Sequence, residues 1–135
     1  MRANDILETC LCVDDLAAAE RFYRDVLGLE LYARQEGRHV FFRCGQRMFL
    51  LFDPRASSQA DGKIPPHGST GPGHVCFTAR EDELPAWQAH LASHGISIEA
   101  IVDWPGGGRS IYFRDPAGNS LEIATPRIWG LPEVT

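Results

Sequence analysis

Nowhere in this chain do about 18 apolar residues run together, which excludes a membrane-spanning helix. Basic residues are in the minority. Thirteen Lys and Arg stand against 18 Asp and Glu, for a net charge of −5. The clustered cations that a phosphate backbone requires are missing, so nucleic acid is not the partner. Cysteine is sparse: Cys10, Cys12, Cys44 and Cys76 fall in strand-like runs. None sits in the C-x-x-C spacing of a zinc ribbon or a thioredoxin-like site. Reduced thiols in a cytoplasmic protein are therefore expected. The opening Met1–Asp5 lacks the apolar core of a secretory signal, which fits the same expectation.

What is present is a pattern that occurs twice. Ile6–Val13 alternates, with Leu7, Leu11 and Val13 on one side and Glu8, Cys10 and Cys12 on the other, the period of a half-buried strand. Asp14-Asp15 supplies a helix cap. Leu16, Ala19, Phe22, Tyr23, Val26 and Leu27 follow at helical spacing, and Gly28 ends the run. Three short strands are predicted at about 29–35, 39–44 and 48–53. Pro54–Pro72 has no period and reads as a linker or surface loop.

The order then restarts. His74–Ala79 alternates, a helix carries Leu84, Trp87 and Leu91 with Gly95 at its end, and strands are predicted at about 96–104, 110–114 and 119–125. Asp115-Pro116-Ala117-Gly118 has the chemistry of a hairpin turn. The fold class is therefore α+β, two tandem βαβββ modules in one domain. The first spans about 4–53, the linker about 54–72, the second about 73–125, and a tail with Trp129 follows. Gly37–Arg43 lies over Gly108–Arg114 without a gap, and the same offset places Leu51 over Glu122 and, at the strand starts, Glu8 meets His74.

In each module one sheet face packs against a helix, and the other lines a cleft. Alternation places Glu8, Cys10 and Cys12, then His74, Cys76 and Thr78, on the cleft faces. It adds Phe49, Leu51 and Asp53, then Ser120, Glu122 and Ala124, and also His39, Phe41, Ser110 and Tyr112. Of the four equivalent positions Glu8, Leu51, His74 and Glu122, three carry metal-binding groups. Buried unpaired, such groups would be destabilising, and a divalent cation resolves the conflict. Three protein ligands leave open positions, as catalytic sites do. Tyr112 and His39 are the candidate hydrogen-bonding or acid/base residues. His90 and His94, four apart on the second helix, read as a solvated face, and Trp104–Gly108 as a flexible connection or lid.

Val13-Asp14-Asp15-Leu16, Phe22-Tyr23 and Leu27-Gly28-Leu29, together with Tyr112-Phe113-Arg114-Asp115-Pro116-Ala117-Gly118-Asn119-Ser120-Leu121-Glu122, resemble the vicinal oxygen chelate superfamily. That superfamily includes glyoxalase I, bleomycin-resistance proteins, fosfomycin-resistance transferases and extradiol dioxygenases. The resemblance implies paired modules curled into an open barrel around a metal, with helices outside. It implies ligands at Glu8, His74 and Glu122, and a homodimer in which Glu8 comes from one chain and His74 and Glu122 from the other. The first ligand of the family is usually His, where Glu8 stands here. A fourth ligand, Glu in glyoxalase I, falls on Leu51, which disfavours that activity. Two carboxylates and an imidazole form a hard set suited to Mn²⁺, Fe²⁺ or Zn²⁺. The expected function is a metal-dependent lyase, transferase or dioxygenase acting on a small substrate with adjacent oxygens. A drug-sequestering protein of the bleomycin-resistance type is the alternative.

Overall fold

The computed structural model describes residues 1–133. It divides into two compact units, Met1–Gly73 and His74 onward. Each holds one four-stranded mixed sheet and repeats the βαβββ order. The first unit contains β1 (Glu8–Cys12), α1 (Leu16–Asp25), β2 (Glu30–Gln35), β3 (His39–Cys44) and β4 (Arg47–Phe52) in the sheet order β1-β4-β3-β2. A short helix, α2 (Pro54–Ser57), follows. The second unit contains β5 (His74–Thr78), α3 (Leu84–Ser93), β6 (Ala100–Asp103), β7 (Arg109–Arg114) and β8 (Ser120–Ala124) in the order β5-β8-β7-β6. In each sheet the first and last strands pair in parallel and the rest antiparallel. No described helix is long and apolar enough to cross a membrane.

Helix α1 starts where Asp15 accepts a hydrogen bond from the Ala18 amide at 3.0 Å, satisfying one of the free N–H groups of the first turn. It ends beside Gly28, whose φ of 66° favours glycine; Gly95 does the same work after α3 with φ 69°. Tyr23 of α1 is fully buried, 5.0 Å from the Phe49 ring and 6.1 Å from Phe42. Around it Leu11, Ala19, Phe22, Val40 and Leu51 close the first core. The second core takes Ile111, Phe113, Leu121 and Ile123 from the sheet and Leu84 and Leu91 from α3 and its start. Burial of each large apolar side chain stabilises its unit by about 1.5–3 kcal/mol.

The register corrects the sequence reading at β4. Cys10 pairs with Leu50 and Leu11 with Leu51, whereas Cys76 pairs with Glu122. Paired residues share a face, so the counterpart of Glu122 is Leu50. Leu51 and Phe49 point into the core, fully buried. The physical reason is one residue of hairpin length. Arg43 pairs with Met48, but Arg114 pairs with Ser120. The β7–β8 connection is one residue longer, and a one-residue shift flips every following side chain. Asp53 is likewise not a cleft residue: it caps α2 and holds Arg55 at 2.7 Å.

Other boundaries move as well. Leu7 is exposed and precedes β1, and β6 occupies only the second half of the stretch predicted at 96–104. The predicted linker is not featureless. Besides α2, its His67 donates a backbone hydrogen bond to Ser57 at 2.9 Å and sets its ring 4.4 Å from Phe52.

Candidate metal site on the second sheet

One face of the second sheet carries His74 and Cys76 from β5, Ser110 and Tyr112 from β7, and Glu122 from β8. The register makes this necessary. Tyr112 and Cys76 both pair with Glu122, and His74 pairs with Ser120. Glu122 is held by Asp115-Pro116-Ala117-Gly118-Asn119 just before it. The Asp115 carboxylate accepts from the Ala117 amide (3.0 Å), the Asn119 amide (2.9 Å) and the Asn119 side chain (2.9 Å). Asp115 and Asn119 are both buried, so this turn is fixed before β8 begins.

His74 and Glu122 meet. His74 Nε2 lies 3.2 Å from Glu122 Oε2. His74 Nδ1 lies 2.9 Å from the Ser120 carbonyl oxygen. A carbonyl only accepts, so Nδ1 must carry a hydrogen and donate it. Nε2 of the neutral ring then presents a lone pair to a carboxylate oxygen that presents another. Two acceptors at this distance repel unless a proton or a cation lies between them. The backbone bond at Nδ1 is also what orients a metal-ligating histidine. Two ligands about 2.1 Å from one ion, about 90–110° apart, stand about 3.0–3.4 Å from each other, so the pair fits a divalent cation.

Glu122 is only 5% exposed, and its other oxygen is engaged. The Ser110 hydroxyl donates to Glu122 Oε1, and the Trp104 indole N–H donates to Ser110 Oγ at 2.8 Å. Tyr112 stacks near His74, ring centroids 6.4 Å apart. Burial pushes the Tyr112 phenol up, and the negative charge of Glu122 and a hydrogen bond to it push the same way, while a hydrogen bond with Ser110 opposes them. Tyr112 is therefore a hydrogen-bond donor at neutral pH. The Cys76 thiol is pushed up to about 12, first by burial, then by the Glu122 charge and a hydrogen bond to it. It is a protonated thiol in the metal-free chain. The four cysteines are free, and none forms a disulfide.

The remaining candidates belong to the first unit. Glu8 is exposed at the start of β1, paired with Met48. Among the described residues, no three His, Cys, Asp or Glu side chains gather as a metal cage. The second unit thus brings together His74 and Glu122, with Tyr112 beside them. His39 stacks on Phe41 at 4.0 Å and meets Phe52 edge-on at 5.9 Å. Its Nδ1 is buried with no hydrogen-bond partner, and burial, then the Arg38 charge, lowers its pKa. A cavity of about 610 Å³ also opens in the first unit, lined by Leu16, Glu20, Arg34, Gly37 and His39. Its buried Glu20 is neutralised by Arg34 through two 2.8 Å contacts. Ser110 and Trp104 are the neighbours of Glu122 that sequence reasoning passed over. Ser110 was placed on the right face but given no role, and nothing local marks the indole as its partner.

A family model described as Glyoxalase/Bleomycin resistance protein/Dioxygenase superfamily matches residues 5–123. A solved structure of lactoylglutathione lyase from Agrobacterium tumefaciens is 47% identical, covers 97% of this chain and all of that one, and superposes with a TM-score of 0.93. The glutathione transferase FosA of Serratia marcescens is 30% identical over 116 residues, covering 84% of this chain and 74% of that protein. The metallothiol transferase FosB of Bacillus licheniformis is 26% identical over 118 residues, covering 87% and 72%.

Proposed function

Because the chain belongs to the glyoxalase/bleomycin resistance protein/dioxygenase superfamily, the vicinal oxygen chelate proteins, we propose that it is a metal-dependent enzyme acting on a small substrate with adjacent oxygens. The observation that carries this reading is the opposed pair His74 Nε2 and Glu122 Oε2, 3.2 Å apart with the imidazole tautomer set by Ser120. His74 and Glu122 would hold the ion, with Glu8 of the partner subunit as third ligand in a two-fold homodimer. Two carboxylates and one imidazole favour Mn²⁺, Fe²⁺ or Zn²⁺. When bound, such an ion supplies a Lewis acid for two substrate oxygens.

The chain's own residues do the rest. Tyr112 keeps its proton and donates it as a hydrogen bond to charge developing on a substrate oxygen, or transfers it there. Ser110 and Trp104 hold Glu122. His39, neutral and unpartnered at Nδ1, offers a hydrogen-bonding edge within an aromatic cluster of Phe41, Phe52 and His67. The cytoplasm is the proposed compartment.

The reaction is a lyase or transferase step. A specific observation favours each. The 47% identity to a structure named lactoylglutathione lyase supports glyoxalase chemistry. The apolar Leu50 opposite Cys10, where a fourth carboxylate would stand, supports a three-ligand centre and hence transferase chemistry. The test is a panel assayed with and without added metal: methylglyoxal plus glutathione, epoxides plus thiols, α-hydroxy carbonyls, vicinal diols and catechols. Wild type should turn over one class, and Tyr112→Phe should retain the metal while losing about 10²-fold in rate. Tight ligand binding that survives complete metal removal, with no product from any class, would favour the sequestering alternative instead.

A further inference from the structure

We propose that Trp104 and Ser110 form a positioning relay that fixes Glu122 as a ligand through one oxygen and couples occupancy of the cation site to the hairpin between β6 and β7. The proposal rests on the metal-site reading above.

The relay has one consistent direction. The indole nitrogen of Trp104 is a donor only, so Ser110 Oγ must accept at 2.8 Å. With that lone pair engaged, the hydroxyl hydrogen of Ser110 points elsewhere, and Glu122 Oε1 receives it. Oε1 is thereby engaged and Oε2 faces His74 Nε2, while the Tyr112 and Cys76 side chains add hydrogen bonds to the same carboxylate. A carboxylate held in this way offers a single oxygen in a fixed direction. Ser110 is fully buried and cannot exchange this partner for bulk water. A residue that orients a ligand through a hydrogen bond commonly changes metal affinity when removed.

The hairpin anchors the far end of the relay. Trp104 follows β6 directly, and the turn closes with Gly107 N donating to Trp104 O (2.9 Å) and Trp104 N to Gly108 O (3.1 Å). Gly108 has φ 86°, and a Cβ there would lie 2.7 Å from both Thr125 Oγ1 and Ile128 Cγ2. Close approach of Gly108 to those residues fixes the backbone of the turn to which Trp104 is hydrogen-bonded. Yet Trp104 itself is 40% exposed, so its ring lies at the boundary with solvent and reports on its hydrogen bond.

The experiment titrates Mn²⁺ and Zn²⁺ into metal-free full-length protein, by calorimetry and by intrinsic fluorescence. Wild type should bind and change its tryptophan emission. Trp104→Phe should still bind but lose most of that change. Ser110→Ala should raise Kd about 10- to 100-fold, and Ser110→Thr should restore most of the affinity. Should Ser110→Ala fail to fold, Ser110→Thr and Trp104→Phe carry the test. A folded Ser110→Ala variant that binds within twofold of wild type overturns the relay alone. An emission change that persists in Trp104→Phe overturns the coupling to the hairpin. A wild type that binds no metal overturns the metal-site reading and the relay with it.

Discussion

Replacing Glu122 with Gln tests the site with little disturbance to the fold. Gln has nearly the same shape. Its carbonyl oxygen can still accept from Ser110, and its amide can donate to His74 Nε2 across the present 3.2 Å. A neutral hydrogen bond then takes the place of the proton or cation that the wild-type pair requires, so the two metal-free proteins should differ by no more than about 1.5 kcal/mol. The metal-free variant is thus expected to be close to wild type in stability. Metal separates the two. Free ion at about 100 times Kd stabilises a folded protein by about 2.7 kcal/mol. Unfolding entropy is about 2.1 cal/mol/K per residue. Over 135 residues that free energy corresponds to about 10 °C in Tm. Wild type should therefore gain about 10 °C on metal addition after chelator treatment, and Glu122→Gln under about 2 °C. Scanning fluorimetry of both, with and without Mn²⁺ or Zn²⁺, reads the difference. An equal rise in the variant, or a metal-free variant several kcal/mol less stable than wild type, would refute the assignment of Glu122 as a ligand.

Two further outcomes follow from the cores and the aromatic cluster. Leu51→Ala should lower stability by about 2–5 kcal/mol in urea unfolding, because Leu51 is fully buried; a loss under 1 kcal/mol would contradict its place in the core. His39 has a folded pKa below its ordinary 6.5, so its neutral form belongs to the folded state. Its contribution is complete above about pH 6.5 and is lost as pH falls through the lowered value. His39→Phe should flatten the decline of the urea midpoint as pH falls below about 6.5, and an unchanged slope would count against the burial argument.

Much of the architecture was legible in the sequence, for a plain reason. Period-two runs bracketed by glycine and a capped helix with a single apolar stripe leave few alternatives, so β3 falls at His39–Cys44 as the pattern predicts. The repeat was legible too, through Gly37–Arg43 and Gly108–Arg114. What failed was parity. An ungapped comparison cannot sense a hairpin lengthened by one residue, so Leu51 was placed where Leu50 stands. That His74, Tyr112 and Glu122 share one face of the second sheet was legible from alternation, because their strands pair in register. The Trp104–Ser110 bond was not, since it joins the end of a short strand to its neighbour through a side-chain geometry that no spacing rule encodes. Glu20 was missed as a buried charge because its partner Arg34 lies on another element.

The knot formed by Asp115 and Asn119 bears on how such a chain can change over generations. It sets the phase of β8, after which Ser120, Glu122 and Ala124 share the side of His74 while Leu121 and Ile123 enter the core. With the rest of β8 unchanged, insertion or deletion of a single codon in this connection would swap the two sets, driving a carboxylate into the interior and leucine out of it, at a large cost in stability. Exchange of one side chain for another at 120, 122 or 124 leaves the phase intact. New chemistry on this sheet is therefore reached directly through substitution, whereas a change of length, such as separates the two modules, requires the whole strand to be repatterned, and the rigid turn is what makes the scaffold permissive at those alternate positions.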